Sequence, residues 1–169
     1  MKKNIVLIGM PGAGKSTIGV VLAKVLAMDF VDSDLVIQKQ EGRRLSEIID
    51  AEGPERFIEI EDQINSGIDC VNSVIATGGS AVYGERAMSH FSENGVVVYI
   101  RLSYDGVCAR LGNIKGRGVV MKKGQTLRDI FEERSFLYER YAEVTVDADG
   151  LSIEETLQKT LQAVEILLQ

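Results

Sequence analysis

Residues 9–17 read GMPGAGKST and stand directly between the apolar run NIVLI and the stretch IGVVLAKVLA. No other feature restricts the fold of this chain as strongly. Glycines let successive backbone N–H groups turn inward and approach an anion without Cβ clashes. A helix that starts immediately afterwards aims its positive end at the same point. Gly9, Gly14, Lys15 and Ser16 occupy the defining places of the pattern G-x-x-x-x-G-K-[ST], with a strand expected before it and a helix after it. Gly12, Ala13, Gly14, Lys15, Ser16 and Thr17 are therefore read as a nucleotide-phosphate cradle. Lys15 would reach the β and γ phosphates, and the Ser16 hydroxyl could ligate Mg²⁺. A glycine-rich turn without a ligand would leave the Lys-Ser pair unexplained.

A phosphate cradle of this kind belongs at the end of a strand in an α/β sheet, and the rest of the chain agrees. Short apolar runs at 4–9, 29–32, 73–77, 96–102 and 144–147 read as strands. Helical periodicity fills 15–27, 34–41, 46–69, 84–92, 103–111, 126–141 and 152–168. Ser152 with Glu155, and Thr126 with Asp129, have capping-box spacing. Strands alternating with helices imply a mostly parallel sheet covered on both faces. A length of 169 residues suits one domain spanning 1–169. The segment 112–125, with four glycines and four basic residues, reads as a lid loop inside that domain.

A net charge of −6 argues against nucleic acid as a partner, but a few cations in a cleft still suffice for a phosphorylated small molecule. No apolar run approaches the roughly 20 residues of a membrane span, and no targeting segment is evident, so a cytoplasmic protein is expected. Cys70 and Cys108 form no CxxC pair and are expected to be reduced, largely buried thiols. The single histidine, His90, is assigned structural or surface duty. Without a heptad or other association motif, a monomer is expected.

Three further clusters could complete the site. In FVDSD, Asp32 and Asp34 fall on one face if the chain is extended there, at the strand end that faces the ligand crevice. Asp34 could equally cap the next helix. The turn TGGSAV offers Gly78 and Gly79 for close backbone approach to a ligand, or is an ordinary strand-to-helix turn. The basic residues Arg110, Lys115, Arg117 and Arg134 could neutralise charge on a moving phosphoryl group, or form a solvated basic loop.

Taken together, these elements resemble the shikimate kinase family over nearly the whole chain. The resemblance rests on GMPGAGKST, on FVDSD, on Gly53, Glu55, Phe57 and Glu61, and on the glycine turn after the third strand. Arg110, Arg117 and the ER-x-x-LY stretch containing Arg134 complete it. It implies a three-layer P-loop kinase fold with a five-stranded parallel sheet in order 2-3-1-4-5. It also implies ATP and Mg²⁺, and phosphoryl transfer to a hydroxyl of a small molecule, shikimate before others. By resemblance, Ser16 and Asp32 would hold the metal, and Asp34 would bind acceptor hydroxyls and take the proton of the attacking one. Arg110 would stack on adenine, and Arg117 would close on the phosphates. Gly78, Gly79 and Arg134 would line the acceptor site, with helices across 34–62 forming its walls.

Several positions depart from that pattern. The family carries an arginine that pairs with the acceptor carboxylate where this chain has Ile58. Arg56 does not replace it, because two residues are about 200° apart around a helix. Ser80 stands where the family has a third glycine, the lid reads R-G-V-V rather than R-P-L-L, and Gly53-Pro54-Glu55 replaces a plain G-E turn. Most of these changes lie on the acceptor side. Three readings follow: shikimate phosphorylation with weakened carboxylate binding, a related kinase for another hydroxylated acceptor such as a sugar acid or cyclitol, and a nucleotide-binding regulatory module without turnover.

Overall fold

The computed structural model describes residues 4–111 and 119–168. Five parallel strands form one sheet: β1 (Asn4–Ile8), β2 (Asp29–Asp32), β3 (Ser73–Ala76), β4 (Gly95–Arg101) and β5 (Val144–Asp147). Their spatial order is β2-β3-β1-β4-β5, the order that the resemblance implies. Ile5 pairs in register with Val74 on one side and Val96 on the other. The central strands are continuously apolar because helices cover both of their faces, whereas the edge strands β2 and β5 are only partly buried.

Helices α1 (Lys15–Leu26) and α8 (Ile153–Leu168) pack on one face, and α5 (Glu85–Asn94) and α7 (Leu127–Tyr141) on the other. Ile18 and Leu22 of α1, Phe91 of α5 and Tyr138 of α7 enter the same core as the strands. Both expected capping boxes are formed. Thr126 Oγ1 accepts from the Asp129 N–H at 3.2 Å, and Ser152 Oγ from the Glu155 N–H at 3.1 Å.

A smaller helical group, α2 (Ser33–Glu41), α3 (Leu45–Glu52) and α4 (Pro54–Ser66), extends beyond the strand ends around Ile37, Ile48, Phe57 and Ile60. The helical periodicity of 46–69 is carried by two helices, with the turn read at Gly53-Pro54-Glu55 between them. Gly53 sits at φ 82° and ψ 164°, outside helical space, and Pro54 starts the next helix at a position where no N–H is needed. Helix α6 (Tyr104–Arg110) follows β4 and ends beside the phosphate loop.

The two thiols also differ from expectation: Cys70 is only partly buried, and Cys108, on α6, is exposed. His90 is structural, with Nε2 at 2.7 Å from the Ile68 carbonyl. None of the described helices is long and apolar enough to cross a membrane.

Candidate active site

β1 runs straight into the phosphate loop, which returns under β4. Gly9 adopts φ 148°, and a Cβ there would lie 2.6 Å from the Ile100 carbonyl oxygen, so no side chain fits. Gly14 caps α1 at φ 91°, a left-handed conformation that glycine adopts without strain. The loop therefore folds as its sequence requires, with Pro11, Gly12, Gly14 and the first residues of α1 lining one cavity.

Lys15 is buried, and its Nζ donates to the carbonyls of Gly9 at 2.6 Å and Met10 at 2.9 Å. Burial pulls its pKa down to about 8, against the opposing pull of Asp34 and Asp32. A phosphate placed in the loop would supply the counter-charge that this ammonium lacks. Arg110 of α6 donates to the Ala13 carbonyl at 3.2 Å, which places its guanidinium over the outer side of the loop.

Asp32 and Asp34 do meet at the site, but not through the extended geometry that their spacing invites. β2 stops at Asp32, and α2 starts at Ser33. Asp32 is the helix cap, with Oδ1 accepting from the N–H groups of Asp34 at 3.0 Å and Leu35 at 3.3 Å. The capping alternative for Asp34 is thereby overturned. Asp32 Oδ2 accepts from the Ser16 hydroxyl at 3.1 Å, so the two side chains expected at a metal stand together. Hard oxygen donors in that number suit Mg²⁺, which keeps waters and substrate phosphates for its other positions.

Asp34 sits in the first turn of α2 and lines a cavity of about 270 Å³ shared with the phosphate loop. Desolvation raises its carboxyl pKa to about 6, with Asp32 adding to the rise and Lys15 opposing it. It remains a base at neutral pH, and a stronger one than an ordinary aspartate. The cavity joins Lys15, Ser16 and Asp34 with Gly78, Gly79 and Ser80 of the turn after β3. A Cβ on Gly78 would meet Asp34 Oδ1 at 2.6 Å and Glu61 Oε1 at 3.1 Å. Only glycine allows this close approach.

Behind the turn lies a group that the motifs include but to which they give no role in the site. Glu61 of α4 is 2% exposed, and its Oε2 accepts from the Ser80 hydroxyl at 2.6 Å. Its Oε1 has no hydrogen-bond partner among the described residues. Desolvation raises its pKa to about 8, the Ser80 bond opposes this, and Asp34 adds to it. The signal was present as an acidic residue on the stripe Phe57, Ile60, Glu61 and Ile64, the buried side of an amphipathic helix.

Arg134 of α7 is 1% exposed. Its Nη2 donates to the Val120 carbonyl at 2.7 Å, its Nε to the Tyr83 hydroxyl at 3.4 Å, and a Cβ on Gly79 would meet its Nη1 at 3.1 Å. Tyr138, one helical turn on, donates to the Gly79 carbonyl at 2.5 Å and fixes the turn from below. A guanidinium buried without a carboxylate partner among the described residues is costly unless an anionic ligand joins it.

The structure therefore gathers Gly12, Gly14, Lys15, Ser16, Thr17, Asp34, Gly78, Gly79 and Ser80 around one cavity, with Asp32, Ala13, Arg110 and Arg134 directly behind its walls. Ile58 does not line that cavity. It belongs to a smaller one that shares Val120 with it. Lys115 and Arg117, together with the lid glycines Gly112, Gly116 and Gly118, lie outside the described residues.

A family model described as shikimate kinase matches residues 11–165. A shikimate kinase of Thermodesulfovibrio yellowstonii is 36% identical over 168 residues, covering 98% of this chain and 96% of its own. One from Alteromonas mediterranea is 40% identical over 154 residues, covering 89% and 90%. Among solved structures, the shikimate kinase from Acinetobacter baumannii in complex with shikimate superposes with a TM-score of 0.84 at 30% identity, covering 96% of this chain and 92% of that one.

Proposed function

The chain belongs to the shikimate kinase family, and from that premise we propose that it transfers the γ-phosphoryl group of ATP to a hydroxyl of shikimate, forming shikimate 3-phosphate and ADP. The observation that carries this reading is the single cavity in which a phosphate loop faces Asp34 and the Gly78–Gly79 turn. Phosphoryl transfer requires little beyond positioning and charge neutralisation, and the wall residues divide those tasks.

Lys15 and the loop N–H groups hold the ATP phosphates. Ser16 and Asp32 would hold Mg²⁺, whose bound charge offsets that of the phosphate oxygens. Asp34 orients the acceptor hydroxyl and takes its proton as the new O–P bond forms, a role suited to a carboxylate whose pKa is raised to about 6. Arg134 meets the acceptor's carboxylate in exchange for the Val120 carbonyl. Arg110 contributes on the adenine side, and Arg117 is assigned to the phosphates by family resemblance.

The replacement of a cation by Ile58 favours one second reading, a kinase of the same family acting on another hydroxylated metabolite. ADP release from Mg·ATP with and without millimolar shikimate separates the two, with Lys15→Ala as the blank. Saturable, shikimate-dependent turnover supports the first. ATP binding without stimulation by shikimate moves the acceptor elsewhere.

A further inference from the structure

Ile58 leaves a hollow. With Tyr83, Val120, Lys122, Gln125 and Glu133 it lines a cavity of about 60 Å³. Val120 lines both this hollow and the large cavity that holds Asp34, so it forms the partition between them. The buried guanidinium of Arg134 is bonded to that partition through the Val120 carbonyl, and to the Tyr83 hydroxyl beside it. A backbone carbonyl is a neutral stand-in for one carboxylate oxygen. Arg134 thus marks the place of the acceptor's anionic end, and the hollow adjoins that place.

A second cation borders the hollow, the exposed Lys122. Lys122 follows Val120 by two residues, and its backbone is pinned by reciprocal bonds with Gln125. The Lys122 N–H donates to Gln125 Oε1 at 2.9 Å, and the Gln125 N–H to the Lys122 carbonyl at 3.1 Å. Among the described residues, its ammonium group has no carboxylate partner. Glu133 is the acidic residue of the same lining. A lysine suits the task because its charge sits on a flexible four-carbon stem and does not depend on planar alignment.

We propose that Lys122 is a specificity-determining residue of the acceptor site, reaching across the hollow at Ile58 to meet the acceptor's carboxylate together with Arg134. The inference rests on shikimate, or another carboxylate-bearing polyol, being the acceptor. It assigns the second charge of the anion site to the segment after residue 118 instead of to α4. Ile58 and Lys122 then form a matched pair, with the apolar side chain leaving room for the amine.

Steady-state kinetics at saturating Mg·ATP test this with shikimate and its uncharged methyl ester. Lys122→Met should raise KM for shikimate about tenfold, as expected for loss of one charge-assisted contact. It should leave kcat, KM for ATP and kcat/KM for the ester in place. Lys123→Met, which removes the charge of the neighbouring and likewise exposed lysine, should behave as the native enzyme does. Ile58→Arg should restore KM in the Lys122→Met background, and should gain less in the native one. A native KM in Lys122→Met, or a loss shared equally by the ester, overturns the inference while the proposed function stands. No shikimate turnover by the native enzyme refutes the proposed acceptor instead, and the inference falls with it.

Discussion

Glu61→Gln should make folding stability less dependent on pH, and the expected size follows from burial. The native carboxyl rises from an ordinary 4.5 to about 8, foremost because it is desolvated, with Asp34 and Asp62 adding to the effect and Ser80 and Arg134 opposing it. The folded protein therefore binds a proton that the unfolded chain releases above pH 4.5. This contribution is fully present below about 4.5, falls as pH rises, and is gone above about 8. At 1.36 kcal/mol per unit, the interval corresponds to roughly 5 kcal/mol. That is comparable to a large part of the 5–15 kcal/mol that holds a typical domain together.

Glutamine keeps the shape and an acceptor oxygen for the Ser80 hydroxyl but carries no ionisation. Near pH 5 the two proteins should differ by about 1 kcal/mol or less, as expected for an isosteric neutral swap. By pH 9 the variant should be the more stable by several kcal/mol. Urea unfolding across pH 5–9 measures the difference. Lys15 and Asp34 titrate in both proteins and largely cancel. A stability difference that stays flat across this range, or moves in favour of the native protein as pH rises, would refute the assignment of a neutral Glu61.

Asp34→Asn should reduce turnover by about 10²–10⁴-fold with ATP affinity retained, measured by ADP release and calorimetry. In the native enzyme, kcat/KM for the acceptor should climb as pH rises through about 6, since only the ionised Asp34 can take a proton. Gly78→Ala drives a methyl group into Asp34 Oδ1 and Glu61 Oε1, so acceptor turnover should collapse while nucleotide binding survives. Tyr138→Phe strips the hydroxyl from the Gly79 carbonyl. It should cost about 1–3 kcal/mol in thermal or urea unfolding and raise acceptor KM more than KM for ATP.

The sequence by itself determined the strand-loop-helix cradle and the parallel sheet, because both depend on local chemistry. Glycines at fixed offsets allow only certain turns, and continuously apolar strands must be covered on both faces. The division of work between Asp32 and Asp34 was not legible in this way. It depends on β2 ending where α2 begins, so that one carboxylate caps the helix and the other enters the cavity. The turn at Gly53-Pro54 was legible, but only the packing of α4 shows that Glu61 is buried while Ile58 opens on a hollow.

Only the tertiary structure could pair Glu61 with Ser80, Arg134 with Val120, or bring Lys122 to the hollow at Ile58. These partners are separated along the chain by 14 to 64 residues, as Arg134 from Val120 and Lys122 from Ile58. Burial, which sets the charge state of Glu61, Asp34 and Lys15, is a property of the packed chain and not of any segment. The phosphate recognition proposed here uses backbone groups of one short loop and is therefore written locally. The acceptor site we propose draws on α2, α4, the turn after β3, α7 and the segment beyond residue 118, and it exists only once they have packed.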